Sequence, residues 1–260
     1  MKRFALFLPV VLLCGCAQLF NGNVFSSVDA PPALNVAALA AKSPTDLETM
    51  IKNDPSFLKA LQNDPVALKA VHTVLSAAYA SPSGTDSAST KASVVSAAQA
   101  DINALTFGTG AGGVVNQAIK QAGNLTSGGS VATAVSSLFA GQSQADIAKS
   151  LTNFLAISSA FSAMQTEAAT GSGTTIDSST FFGTANKGDL AQTALVAAAV
   201  KALVTDNPGG TDGLAAQLAA GTTPTSGASI SSLSSALSST GTTTSNPYAY
   251  VSASMSFIPH

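Results

Sequence analysis

The stretch Ser43-Pro-Thr-Asp-Leu-Glu-Thr-Met-Ile-Lys-Asn-Asp-Pro-Ser-Phe-Leu-Lys-Ala-Leu-Gln-Asn-Asp-Pro-Val-Ala-Leu-Lys-Ala-Val-His-Thr-Val-Leu-Ser-Ala-Ala-Tyr79 decides the fold class. The octet Asn-Asp-Pro-x-x-Leu-Lys-Ala occurs twice in it, at Asn53–Ala60 and Asn63–Ala70, and a looser copy begins at Ser43-Pro44. Each copy opens with a side chain that can accept from orphan backbone N–H groups (Ser43, Asp54, Asp64). Pro follows at the first helical position, where a missing N–H costs nothing. Proline also drives the residue before it out of the α region, so one continuous helix is excluded. The pattern predicts two helices of about two turns and a longer third. Their apolar faces come from Leu47, Met50, Ile51, Phe57, Leu58, Leu61, Leu68, Val71 and Leu75.

Helical spacing continues beyond this segment. Val95, Ala98, Ile102 and Leu105 mark one helix, and Val114–Ala122 and Val131–Phe139 are shorter ones bounded by glycine. Ser143–Ala169 reads as the longest, with Ile147, Leu151, Phe154, Ser158, Phe161 and Met164 on one face. Asp189–Val204 is apolar nearly all round, which places it at the centre of a bundle. Asp206-Asn-Pro-Gly-Gly210 stops it. Leu214 and Leu218 mark a short helix, and Ile230, Leu233 and Leu237 a Ser-rich one. From Tyr248 to Phe257 the period becomes two, which predicts an extended tail. It either pairs with Thr174–Phe182 as a short β element or lies over the bundle. The fold class is all-α: an irregular multi-helix bundle with Gly/Ser/Thr-rich loops.

The N-terminus carries an address. Lys2 and Arg3 precede the apolar run Phe4–Leu13, ten residues against the ~20 a transmembrane helix needs. Leu13-Cys14-Gly15-Cys16 then resembles the lipobox of bacterial lipoproteins, with a branched aliphatic at −3, a small residue at −1 and the modified cysteine. Cys14 at −2 departs from the small Ala or Ser more common there. The resemblance implies cleavage before Cys16, lipid on Cys16, and attachment to a membrane by several acyl chains. Ala17 after the cysteine, in place of Asp, points to the outer membrane. The organisation expected is a signal peptide at 1–15, a lipidated N-terminus and tether at 16–32, a helical domain at 33–247 and the tail at 248–260.

Composition narrows the function. Charged residues are 9% of the chain, against ~25% in ordinary domains. Removal of Lys2 and Arg3 with the signal leaves nine Lys and no Arg against thirteen acids, a net charge of −4. Nucleic acid is excluded as a partner, because phosphate tracking needs clustered Lys and Arg. Without Arg, no planar fork is available for bidentate recognition of carboxylate or phosphate. With Cys14 lost and Cys16 lipidated, no thiol remains for a disulfide.

No cofactor, metal or catalytic constellation is expected. Gly108-Thr-Gly-Ala-Gly-Gly113 matches GxGxxG, but a helical pattern precedes it where a dinucleotide site needs a strand, and no acid follows before Asp146. His72 is the one internal histidine, on the flank of the Val66–Tyr79 helix, and reads as a half-buried structural residue. The acids are scattered singly, many as helix caps, and no GxSxG occurs.

Residues 43–79 also resemble the Asp-Pro-repeat domains of co-chaperones such as Hop and ubiquilin, over roughly 35 residues. That resemblance implies a small helical unit with an apolar groove for client segments. The residues themselves are read first as ordinary core, capped short helices that pack onto the rest of the domain. Three function classes are left, in order: a non-enzymatic lipid-anchored envelope accessory that assists another envelope protein, a surface-displayed binder or adhesin, and an enzyme with an unrecognised site.

Overall fold

The structure is a computed structural model and describes residues 33–83, 85–108, 130–170, 175–183, 186–238, 246–254 and 257. Cys16, the stretches expected to be signal and tether, the expected helix at Val114–Ala122 and all but the first residue of the glycine motif lie outside them.

The N-terminal third is a stack of short helices. α1 (Val36–Ala40), α2 (Pro44–Asn53), α3 (Pro55–Asn63) and α4 (Pro65–Ala78) follow one another. The caps are those the sequence announces. Ser43 accepts from Asp46 N–H, Asp54 from Ser56 and Phe57 N–H, and Asp64 from Val66 and Ala67 N–H. Asp54 and Asp64 are extended, with ψ near 90°, as a residue before proline must be. α2, α3 and α4 all pack on α5 (Ala88–Gly108), and α1 lies on α4. Leu47, Ile51, Phe57, Leu58, Leu61, Leu68, Val71 and Leu75 are all buried in this contact.

After α6 (Val131–Leu138), the longest helix, α7 (Gln144–Ala168), lies against the other side of α5. Its predicted face is intact: Ile147, Leu151, Phe154, Ser158, Phe161 and Met164 are buried. β1 (Ala169–Thr170) and β2 (Thr175–Ile176) then pair antiparallel, Ala169 opposite Ile176, and close the turn into α8 (Ser178–Phe182).

α9 (Lys187–Asp206) is the centre, packed against α7 and against α10 (Gly210–Ala219), α11 (Ala228–Ser238) and α12 (Ala249–Ser254). Eleven of its residues are buried, from Leu190 to Leu203. Among the described residues it alone is long and apolar enough to cross a membrane, yet neighbouring helices enclose it. An all-round apolar helix has no other way to leave water in a bundle.

The tail is a correction. Among the described residues of Tyr248–Phe257 the expected extended run is absent: Ala249–Ser254 is helical, and Tyr248, Tyr250, Val251 and Ser254 are buried. Ala249 and Ala253 favour helix while Tyr250 and Val251 favour strand, so tertiary contacts decide. The Tyr250 ring stacks on Phe161 at 5.4 Å between centroids. Its hydroxyl meets Ser158 Oγ at 2.9 Å, and its backbone N–H donates to Gln165 Oε1 at 3.0 Å. Part of the proposed partner stretch does form strand, Thr175–Ile176, but with Ala169–Thr170 and not with the tail.

Candidate functional site

Four helices, with α3 adding only Leu58, line a cleft of about 620 Å³, inside the ~300–1,000 Å³ range of small-molecule sites. α2 contributes Glu48, Lys52 and the apolar Ile51. α5 contributes Gln99, Asn103 and Phe107. The start of α9 contributes Asn186, Asp189 and Leu190. Each wall is set by local structure. Ser96 Oγ donates to Glu48 Oε2 at 2.6 Å and ties α5 to α2 at the rim. Gln99 Nε2 donates to the carbonyls of Phe182 (2.9 Å) and Phe181 (3.3 Å), holding α8 beside α5. Asn186 caps α9 by accepting from Gly188 N–H at 3.1 Å.

The charges in the cleft are unequal. Lys52 is exposed on the second-to-last position of α2 and has no ion-pair partner among the described residues. Asp189 is half-buried, and burial raises its carboxyl above the ordinary value of 3.8. Among the described residues no donor reaches that carboxylate. Sequence reasoning did not find this site, because its walls come from helices whose pairing no local spacing announces.

His72 is brought to an acid that its own helix does not contain. His72 Nδ1 lies 2.8 Å from Asp101 Oδ2, and the Tyr79 hydroxyl donates to the same oxygen. Asp101 is fully buried on α5, while His72 is 30% exposed. The carboxylate beside it raises the His72 pKa above 6.5, and burial raises that of Asp101. Burial also pushes the Tyr79 hydroxyl upward, with the Asp101 charge adding to it. A His–Asp pair can orient a general base, but that chemistry also needs a nucleophile against the second ring nitrogen. Among the described residues Asp101 is the ring's one polar partner. Here the trio clamps α4 to α5, with His72 half-buried as its sequence position suggests. The signal for Asp101 was an acid inside the apolar stripe Ala98–Ile102–Leu105.

Two further groups were not singled out from the sequence. Glu167 is fully buried and accepts from Ser83 N–H at 2.7 Å, fastening the α4–α5 loop to α7. Burial lowers the Lys201 pKa; its ammonium stands 3.5 Å from Ser162 Oγ and 5.9 Å from the Tyr248 ring. Ser162 Oγ itself donates to the Ser158 carbonyl at 2.9 Å. The chain also holds an SxxK spacing at Ser56–Lys59, where the serine hydroxyl is bonded to the Asp54 cap. Among the described residues no three His, Cys, Asp or Glu side chains gather where a metal ion could sit.

Comparison with models of protein families, with curated proteins and with solved structures finds no match to this chain.

Proposed function

We propose that this chain is a lipid-anchored, non-enzymatic protein of a bacterial envelope, held at the outer membrane through Cys16 and acting there by binding another envelope component. The observation that carries the reading is the run Leu13-Cys14-Gly15-Cys16 behind a short, positively flanked apolar segment. A single acyl chain holds a protein only marginally, and two or more hold it firmly, so lipid on Cys16 makes the membrane the permanent address. The helical body supports a binding role through its cleft between α2, α5 and α9.

The apolar side chains of the Asp-Pro helices are buried against α5, so the cleft is the better candidate contact than a groove among them. Cys16→Ser is expected to abolish incorporation of labelled palmitate and release the protein from membranes, while Cys14→Ser leaves both intact. Palmitate uptake by the Cys16 variant would refute the anchor.

The charge-poor, Ser/Thr-rich composition also suits a surface-displayed binder. Protease treatment of intact cells separates the two: digestion indicates display, and protection indicates the periplasmic face.

A further inference from the structure

We propose that the cleft between α2, α5 and the start of α9 binds a small aliphatic amine, with an ammonium group of the ligand held by Asp189. The inference stands apart from the lipid anchor and would hold for an unlipidated chain.

Charge decides the sign of the ligand. Two carboxylates and one ammonium face the cleft, so its field favours a cation. An anion would have Lys52 as its one cationic side chain in the lining, a flexible and strongly hydrated point charge with no guanidinium beside it.

The two carboxylates have unequal needs. Glu48 takes the Ser96 hydroxyl on Oε2, which leaves Oε1 without a donor among the described residues. Asp189 has no donor on either oxygen among them, and its position on the cleft wall withdraws it partly from water. A charged donor on a carboxylate forms a bond about twice as strong as a neutral one. An arriving ammonium would therefore replace the hydration that Asp189 has lost. Asp189 also sits in the first turn of α9, where a negative charge suits the helix dipole. That role explains its presence without a ligand, so the test must read binding and folding separately.

The rest of the lining selects the stem. Ile51 and Leu190 lie almost wholly buried at the cleft wall and the half-buried Phe107 adds an apolar face, which suits methylenes better than the hydroxyl-covered faces of a sugar. Asn103 adds a carboxamide that can serve a second polar end.

The experiment uses the full-length protein in non-ionic detergent, titrated calorimetrically with cadaverine, its neutral diol isostere and the dicarboxylate glutarate. Cadaverine is expected to bind at least about 10-fold tighter than either, the worth of one charge-assisted hydrogen bond. Asp189→Asn should weaken cadaverine about 10-fold, and Lys52→Gln should strengthen it several-fold by removing the like charge. Asp212→Asn, an exposed acid on α10, should leave the affinity unchanged. Melting curves accompany each variant. If Asp189→Asn does not fold, the exposed Lys52→Gln still decides by its direction. Equal binding of the diol, tighter binding of glutarate, no heat with cadaverine, or an equal loss with Asp212→Asn would each overturn the proposal.

Discussion

The Asp-Pro helices at the N-terminal end cap themselves, whereas the helices at the C-terminal end are held by residues far away in the chain. Asp54 and Asp64 each accept from N–H groups two and three positions ahead. At the other end, the Asp206 carboxylate accepts from Gly227, Ser229 and Ile230 N–H, 21 to 24 positions on. Tyr250 is fixed by Ser158, 92 positions back. One region is specified locally and then buried; the other becomes helical at those positions because the bundle receives it. Substitutions should therefore act differently in the two.

The largest effect is expected at Tyr250. Its truncation to Ala removes a fully buried ring, the stack on Phe161 and the bond to Ser158. Core aromatic truncations cost ~3–5 kcal/mol, and here the loss should also abolish the α12 helix, seen as fast amide exchange across residues 249–254. Leu61→Ala should cost ~2–5 kcal/mol as a core truncation while the amides of α3 and α4 keep their relative protection. If Leu61→Ala leaves the melting temperature unchanged, the Asp-Pro face is an open surface and the contrast fails.

Cap removal comes next in size. Asp54→Ala should cost about 1 kcal/mol, the usual loss for a helix N-cap. Asp206→Ala removes a charged acceptor from three backbone donors at once and should cost more, about 1–3 kcal/mol. Amide exchange at α11 should rise well above the global rate only in the second case. Equal costs would show that distance in the chain makes no difference to these caps.

The smallest effect is the pH dependence of the α4–α5 clamp. The His72 pKa is raised by Asp101, so its contribution is complete below 6.5 and is lost as pH climbs through the raised value. Asp101, raised by burial, works in the same direction from its ordinary 3.8 upward. Wild type should thus exceed His72→Gln in melting temperature by more at about pH 5.5 than at about pH 8.5. A gap that widens with alkali would contradict the assigned pair.

Legibility follows the same division. The boundaries of α2, α3 and α4 can be read because proline and its preceding cap act within a few residues. α7 and α9 can be read because their apolar spacing is long and regular. Ala249–Ser254 cannot, since Ala249, Val251 and Ala253 alternating with Tyr250, Ser252 and Ser254 fit a strand pattern on paper and Tyr250 meets its partners only in the folded chain. The His72–Asp101 contact spans 29 positions, and only the misplaced acid in an apolar stripe hinted at it. The cleft was invisible for the same reason: Glu48, Asn103 and Asp189 share no local pattern.

The proposal that the envelope membrane is this protein's address rests on Cys16, and mass spectrometry of its N-terminal peptide tests that most directly. Protein extracted from membranes should begin at Cys16 and carry diacylglycerol on the sulfur. A chain that begins elsewhere, or an unmodified Cys16 thiol, would contradict the account.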